Sequence, residues 1–199
     1  MKKKNHRDTS QPLILASGSP RRQQILARLG KTFQVVSPEV EEARSAETPA
    51  TLTLLNARKK ARAVWEENRG AVVLAADTVV AEGGRILNKP ESREEALTML
   101  LSLSGRTHEV FTGVVVNFAG TDGALVCREE VARSEVIFKS FEEAVARAYH
   151  DLVNPLDKAG AYGIQEGREQ VLAGWRGSFF NIMGLPLRET LCLLDEAGA

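Results

Sequence analysis

A short apolar run that breaks into a Ser-Gly-Ser-Pro turn, followed by a basic amphipathic segment, is the feature that most constrains this chain. Residues 13–16 (LILA) predict a buried strand, and residues 20–29 predict a helix that ends at Gly30. Ser19 is a suitable N-cap, and Pro20 fits the first helical position because its missing N–H needs no partner there. The segment therefore predicts a strand, a tight turn and a helix in immediate succession.

The same turn predicts an anion site. The free N–H groups of the first helical turn point past the end of the strand, and the helix dipole favours negative charge there. Arg21 and Arg22 add guanidinium donors at this positive end, where two cations gain nothing from the helix itself. We expect the turn to bind a phosphate-bearing ligand.

Length and composition favour one globular domain, or one domain divided into two lobes around a cleft. The 199 residues are 43% hydrophobic and 26% charged, which is typical of a chain with a substantial core. The 26 basic and 26 acidic residues cancel, so no general affinity for nucleic acid or for an anionic membrane is expected. We expect residues 1–11 to form a mobile basic tail and residues 12–199 a single α/β domain.

Targeting signals and cysteines favour a cytoplasmic protein. The basic residues 1–7 are followed by only four consecutive apolar residues, too few for a secretory signal, and no window approaches a membrane span. Cys127 and Cys192 match no metal or redox spacing, so we expect buried free thiols in a reducing compartment. His108 has no histidine near it in sequence, so we expect a structural role rather than a zinc site.

Apolar periodicity predicts that strands and helices alternate along the chain. The predicted elements are a strand at 33–36, a helix from Thr48-Pro49 to about Glu67, a strand at 72–76, helices opened by capping boxes at 92–95 and 140–143, a hairpin of strands 110–117 and 126–138, a short strand near 171–175 and a last helix started by Pro186. This order predicts an α/β fold with a mixed, elongated β-sheet flanked by helices.

Two acidic positions are candidates for chemistry. Asp77 follows the apolar run VVLAA, which predicts that it lies at the end of a buried strand. Because ligands of open α/β sheets bind at strand ends, Asp77 could take part in the chemistry. Alternatively, its side chain caps a turn. Glu41 and Glu42 lie in an acidic loop at 37–47 and could supply a metal ligand, since Mg²⁺ takes one or two carboxylates plus phosphate oxygens. The alternative for this loop is a solvated acidic surface.

Basic and amide side chains add further candidates. Lys60 lies in the long helix among basic residues at 58, 59 and 62, so charge alone does not single it out. Lys89 precedes a proline, which keeps it extended and able to reach into a cleft. The glycine-rich segment 157–165 would let backbone approach a ligand while the amide of Gln165 reads a base edge, or it is only a tight connection between helix and strand.

Taken in order, these residues resemble the Maf-like nucleotide pyrophosphatase family. The matching stretches are ASGSPRR (16–22), Glu42, Lys60-Ala61, AADTVV (75–80), ILNKP (86–90), LSGRTHEVFTGV (103–114), DKAGAYGIQ (157–165) and GSFFNIMGLPL (177–187). The resemblance implies hydrolysis of a nucleoside triphosphate to the monophosphate and pyrophosphate with Mg²⁺ or Mn²⁺, in the central cleft of a two-lobed, inosine-triphosphate-pyrophosphatase-like fold. It also implies a homodimer.

The resemblance further implies a role for each matching residue. Asp77 would accept the proton of the attacking water, and Glu42 with Asp77 would hold the metal. The implied phosphate-binding residues are Ser17, Arg21, Arg22, Lys60 and Lys89. The resemblance links Arg21, Thr78 and Gln165 to substrate choice. At these positions the chain resembles the branch of the family that acts on dTTP and UTP. Modified pyrimidine nucleotides are further candidate substrates. Glu166 departs from the family pattern, which usually has glycine there.

The alternative function is a nucleotide-binding regulator of cell division or septum formation that acts without turnover.

Overall fold

The computed structural model describes residues 11–199, which are built around one mixed sheet of seven strands. The strands are β1 (Leu13–Leu15), β2 (Phe33–Val35), β3 (Val72–Glu82), β4 (Arg85–Leu87), β5 (Thr107–Ala119), β6 (Leu125–Phe138) and β7 (Leu172–Arg176). Their order is β2-β1-β3-β5-β6-β7, with β4 paired to β3. β1 pairs in parallel with β2 and β3, and the other pairs are antiparallel. The predicted mixed sheet and central hairpin are confirmed.

Helices cover both faces of this sheet. They are α1 (Pro20–Arg28), α2 (Pro49–Glu67), α3 (Arg93–Ser102), α4 (Glu143–Leu152), α5 (Arg168–Val171), α6 (Phe179–Met183) and α7 (Leu187–Glu196), with a 3₁₀ turn at Ala159–Ala161. Two predicted caps are present: the Thr48 hydroxyl accepts from the Thr51 N–H at 3.0 Å, and the Ser92 hydroxyl accepts from the Glu95 N–H at 3.1 Å. Residues 1–10 of the predicted tail lie outside the described residues, and the division into tail and domain stays a prediction.

The capping box predicted at 140–143 is wrong. Helix α4 begins at Glu143, and Glu142 occupies the N-cap position without a side-chain cap. The hydroxyl of Ser104 accepts from the Phe141 N–H at 2.8 Å and donates to the Phe141 carbonyl at 2.7 Å. Because Ser104 satisfies both backbone groups of Phe141 outside the helix, the first helical turn starts two residues later than predicted.

Strand β3 is longer than the predicted 72–76, and this changes where Asp77 lies. Residues 73–81 pair with residues 117–109 of β5 in unbroken register, so the strand continues through Asp77. Its other edge is interrupted, because β1 pairs with β3 up to Leu74 and β4 pairs from Val80 onward. Asp77 is therefore in the middle of a strand, beside a stretch of open edge, and caps no turn.

The core divides into two lobes over this open edge. Alternate residues of β3 point to one face, where Leu74 and Ala76 pack with α1, α6 and α7, and Val80 packs with α3 and α4. Thr78 lies between the two clusters on the same face. A third cluster, which includes Val73, fills the opposite face beneath α2. The predicted arrangement of two lobes around a central cleft is confirmed.

The cysteines and His108 differ in how far they follow the sequence prediction. Cys127 and Cys192 are free but exposed, so their predicted burial is wrong: Cys127 lies on the solvent side of β6, and Cys192 on the outer side of α7. His108 is buried and shares a hydrogen bond of 2.8 Å with the Tyr162 hydroxyl, in a structural role as predicted. Burial lowers the pKa of His108 to about 3, so its ring is neutral.

None of the helices within residues 11–199 has both the length and the apolar character of a bilayer-crossing segment.

Candidate active site

All nine predicted site residues line one cleft at the open edge of β3. They are Ser17, Arg21, Arg22, Glu42, Lys60, Asp77, Thr78, Lys89 and Gln165. The cleft consists of three adjoining hollows of about 100, 300 and 640 Å³. Its charged end is formed by the turn after β1, the acidic loop and Lys89. Its other end has apolar walls, and Gln165 lies there.

Arg22 is half-buried and joins several elements of the charged end. Its Nη1 donates to the Ser17 hydroxyl at 3.1 Å, its Nε to the Gly184 carbonyl at 2.8 Å, and its Nη2 to the Thr78 hydroxyl at 3.1 Å. Burial lowers the pKa of Arg22, and the negative charge of Asp77 opposes that shift. Since a guanidinium has five N–H donors, two remain for a ligand after these three bonds.

The turn before α1 is held differently from the sequence prediction. Ser19 occupies the N-cap position, but its side chain makes no cap bond; its backbone N–H instead donates to the Ser17 hydroxyl at 3.3 Å. A Cβ on Gly18 would lie 2.9 Å from the Ser37 hydroxyl, so this turn packs directly against the loop after β2. The buried Ser17 hydroxyl, rather than a helix cap, therefore organises the predicted anion site.

Arg21 crosses the cleft from α1 to the glycine-rich segment. Its Nη1 donates to Asp157 Oδ2 at 3.0 Å and its Nη2 to the Asp157 carbonyl at 3.4 Å. Asp157 also accepts from Lys158 Nζ at 2.8 Å. Burial tends to raise the pKa of Asp157, but Lys158 and Arg21 outweigh it and lower the pKa. Sequence reasoning missed both Asp157 and Lys158, although they open the polar-ended segment that it singled out.

Lys60 joins the two candidate metal carboxylates. Its ammonium lies 2.7 Å from Asp77 Oδ1 and 2.9 Å from Glu42 Oε1, and Lys60 is buried although its neighbours in α2 are exposed cations. Burial tends to raise the pKa of Glu42, but the charge and hydrogen bond of Lys60, followed by the charges of Lys89 and Arg22, lower it overall. Glu42 is therefore ionised at neutral pH. Within its basic run, burial and these contacts single out Lys60, which charge alone did not.

Asn56 is a central polar residue that sequence reasoning missed. Its Nδ2 donates to the Ala43 carbonyl at 3.0 Å and lies 3.3 Å from Asp77 Oδ2, while its Oδ1 accepts from the Ala43 N–H at 2.8 Å. Asn56 thus ties the acidic loop, next to Glu42, both to α2 and to Asp77. A signal was available, because Asn56 lies four residues before Lys60 on the same apolar face of α2.

Thr78 takes part in a network of hydroxyl groups that also includes the Arg22 guanidinium. The Thr112 hydroxyl donates to the Asn181 carbonyl at 3.0 Å and also lies 2.9 Å from the Thr78 hydroxyl. Because Thr112 has a single hydroxyl proton, Thr78 is the donor between the two threonines. Thr78 also accepts from Arg22. It therefore has no proton left for a ligand and can only accept a further hydrogen bond.

The apolar end of the cleft is anchored by Tyr149. The Tyr149 hydroxyl donates to the Gly163 carbonyl at 2.9 Å and accepts from the Gly163 N–H at 3.0 Å, and burial raises the pKa of Tyr149. Gln165 follows two residues later and lines the cleft. The apolar side chains around it are Val80, Val110, Tyr162, Ile182 and Met183. This hollow combines these apolar side chains with one neutral amide, and charged residues such as Arg21 and Lys158 line it as well.

The carboxylates fit a hard divalent cation. Glu42 and Asp77 supply oxygen donors, and they already converge on the positive charge of Lys60. Within residues 11–199, no group of three or more His, Cys, Asp or Glu residues has metal-binding geometry. Mg²⁺ is commonly held by one or two carboxylates together with substrate phosphates and water. The donor set therefore suits a cation that arrives with a phosphate ligand.

A family model, several named proteins and several solved structures are similar to this chain. A family model described as "Maf-like protein" matches residues 12–197. The protein named dTTP/UTP pyrophosphatase of Symbiobacterium thermophilum is 44% identical and covers 94% of this chain and 95% of its own length. The protein of the same name from Thermococcus kodakarensis is 43% identical, with 94% and 96% covered. The solved Ham1 protein of Staphylococcus aureus aligns over 93% of this chain and 96% of its own, at 16% identity and a TM-score of 0.44.

No comparison favours the alternative of a regulator without turnover. The match to the family model extends over nearly all of the described residues, from the residue before β1 to the residue after α7. The named relatives are similar over the same length. The chain belongs to the Maf-like protein family.

Proposed function

We propose that this protein hydrolyses nucleoside triphosphates to the monophosphate and pyrophosphate, with a preference for dTTP and UTP. One observation carries the proposal: a single cleft places Arg21, Arg22 and Lys89 beside two carboxylates that share the ammonium of Lys60. The names of the relatives support the choice of reaction and of substrates.

The reaction requires a water oxygen to bond to the α-phosphorus while the bond from that phosphorus to the pyrophosphate oxygen breaks. Asp77 accepts the proton of the water. Its Oδ1 is held by Lys60 at 2.7 Å, whereas Oδ2 has only the longer contact to Asn56 at 3.3 Å, so Oδ2 retains lone pairs for the proton. A Mg²⁺ or Mn²⁺ ion held by Glu42 and Asp77 would supply positive charge to the phosphate oxygens.

The departing pyrophosphate gains negative charge, and cations around it lower the barrier. Arg22 offers two N–H donors in a position that its three hydrogen bonds fix. Arg21 exchanges Asp157 for a phosphate at little cost, because the Asp157 side chain is 48% exposed and such pairs are typically worth about 0–1 kcal/mol. Lys89 faces the same space from the stretch after β4.

The apolar end suits a pyrimidine base. Uracil and thymine both present an N3–H donor between two carbonyl oxygens, and the amide of Gln165 offers both an acceptor and donors. The hydroxyl of Thr78 offers one further acceptor. Together with the names of the relatives, these groups support dTTP and UTP, including pyrimidines with modified bases.

A panel of nucleoside triphosphates tests the proposal. The purified protein is incubated with each triphosphate and Mg²⁺ or Mn²⁺, and monophosphate and pyrophosphate are quantified separately. We expect equal amounts of the two products, with dTTP and UTP turned over fastest, and loss of turnover when the metal is chelated. Absence of turnover by the folded protein, or release of orthophosphate instead of pyrophosphate, would overturn the proposal. The cytoplasmic location, the homodimer and the absence of a nucleic-acid or membrane partner are parts of the same proposal.

A further inference from the structure

The amide of Gln165 has a defined direction in the cleft. Its Nε2 donates to Glu166 Oε1 at 3.1 Å. Its Oε1 lies 3.4 Å from the position that a Cβ on Gly163 would occupy, which places the oxygen beside the cleft wall. The amide nitrogen therefore faces Glu166, and the amide oxygen faces the side where Gly163 lines the cleft.

Glu166 is exposed, and two longer contacts connect it to the glycine-rich segment. The Glu166 N–H bonds to the Gly163 carbonyl at 3.4 Å, and Gly163 is itself fixed on both backbone groups by Tyr149. Glu166 Oε2 lies 3.9 Å from the ammonium of Lys158, which is buried. An ionised carboxylate only accepts hydrogen bonds, so it favours the nitrogen of the neighbouring amide and repels its oxygen.

The direction of an amide decides which pyrimidine it can pair with. Uracil and thymine present a donor at N3 and an acceptor at position 4, whereas cytosine presents an acceptor at N3 and a donor at position 4. A glutamine that turns over freely pairs with either pattern. A glutamine with a fixed direction presents its oxygen to N3–H and its second Nε2 proton to a carbonyl oxygen, and this arrangement repels cytosine.

We propose that Glu166 is a positioning residue that fixes the direction of the Gln165 amide, so that the cleft accepts uracil and thymine nucleotides and rejects cytosine nucleotides. This inference rests on the proposed function for the identity of the ligand. Glu166 acts through Gln165 and does not itself touch the base. Its effect is therefore on the choice between bases rather than on the chemical step.

The test compares UTP with CTP, which share their sugar and phosphates. We expect the wild-type protein to prefer UTP, and both Glu166→Gln and Glu166→Ala to reduce the ratio of kcat/KM for UTP over CTP about tenfold, the value of one well-placed hydrogen bond. Most of the change should be a gain with CTP. Glu169→Gln is the matched control, because it removes the same charge from an exposed position three residues further on, and its ratio should equal the wild-type ratio.

A second measurement separates base choice from turnover. Calorimetric titration with UMP and with CMP reports binding at the base end without any reaction, and the preference for UMP should fall in the same two variants. The inference is wrong if both variants keep the wild-type ratios, or if UTP and CTP activities fall in parallel, as a structural role would cause. If the wild-type protein hydrolyses neither triphosphate but binds UMP over CMP in a manner that depends on Glu166, the proposed function fails and this inference stands.

Discussion

Asp77 and Thr78 are consecutive in β3, yet they belong to two different polar networks. Because side chains alternate along a strand, Asp77 faces α2 and meets Lys60 and Asn56, whereas Thr78 faces the opposite side and meets Arg22. The first network joins carboxylates to an ammonium and an amide, and the carboxylate oxygens keep lone pairs for a ligand. In the second, Thr78 has already committed its single proton.

The two networks are suited to different tasks. The charged network leaves Asp77 Oδ2 and Glu42 able to exchange partners with a ligand, which chemistry requires. The hydroxyl network joins β3 to β5 through Thr112, and both strands to α6 through Asn181, while Arg22 adds α1. Breaking the first should cost activity, and breaking the second should mainly cost stability.

The largest effect is expected for Asp77→Asn. The substitution keeps the shape of the side chain and an oxygen for Lys60, but it removes the proton acceptor, so kcat should fall by about a thousandfold. Release of pyrophosphate under saturating UTP measures this, and circular dichroism verifies the fold. A variant that retains a tenth or more of the wild-type kcat would show that another group accepts the proton.

Asn56→Leu should have the next largest effect. The leucine side chain has the same branching, but it cannot form hydrogen bonds with Ala43 or Asp77, so Glu42 and Asp77 lose their relative position and kcat should fall about tenfold. Arg62→Met, on the exposed side of α2, is the control and should retain full kcat. Unchanged kcat in Asn56→Leu, with only a lower unfolding temperature, would assign Asn56 to stability alone.

Thr78→Val tests the second network. Valine matches threonine in shape, but it removes the acceptor of Arg22 Nη2 and the proton that the Thr112 hydroxyl accepts, so the free energy of unfolding should fall by about 1–3 kcal/mol. The loss of kcat should be well below that of Asp77→Asn. Chemical denaturation measures the first quantity, and Thr98→Val, at an exposed position on α3, should change it by less than about 0.5 kcal/mol. A larger loss of kcat in Thr78→Val than in Asp77→Asn would reverse the assignment of the two networks.

The sequence was enough to predict the longer elements, because each depends on local chemistry, but it did not predict the short helices α5 and α6. Apolar periodicity located the strands and helices, and Thr48-Pro49 placed the start of α2 at the residue where the structure has it. The motifs also brought together residues that are distant in the chain, such as Glu42 and Lys89. Capping predictions were less reliable where a distant side chain competes, as Ser104 does for the backbone of Phe141.

The contents of the two networks could not be predicted, because they depend on which strands pair. The sequence pattern predicted that the strand ends before Asp77, because a carboxylate after five apolar residues is typical of a strand end. The pairing of residues 73–81 with β5 shows that the strand continues through Asp77. The same register brings Thr112 opposite Thr78. Similarly, the basic run of α2 hides Lys60 until the packing of that helix on β3 is known.

The smallest expected effect is a change in how stability depends on pH. This change measures how strongly the Lys60 ammonium keeps Glu42 ionised within the charged network. A carboxylate whose pKa is lowered on folding, as that of Glu42 is, adds stability above its ordinary value of 4.5, and this stability is lost as the pH falls through the lowered pKa. Removing the ammonium in Lys60→Met leaves burial to raise the pKa of Glu42, so the loss should begin at higher pH.

Unfolding temperatures of the wild-type protein and of Lys60→Met between pH 7 and pH 3 test this expectation. The Glu42 side chain is 41% exposed, so the part of the difference between the two pH profiles that comes from Glu42 should correspond to less than about 1 kcal/mol. Asp157, whose pKa is also lowered, contributes equally to both proteins and cancels in the comparison. Arg62→Met removes a cation from the exposed side of the same helix and should follow the wild-type profile. Parallel profiles for Lys60→Met and the wild-type protein would mean that Lys89 and Arg22, rather than Lys60, keep Glu42 ionised. The charge that supports Glu42 would then come from other cleft residues and not from helix α2.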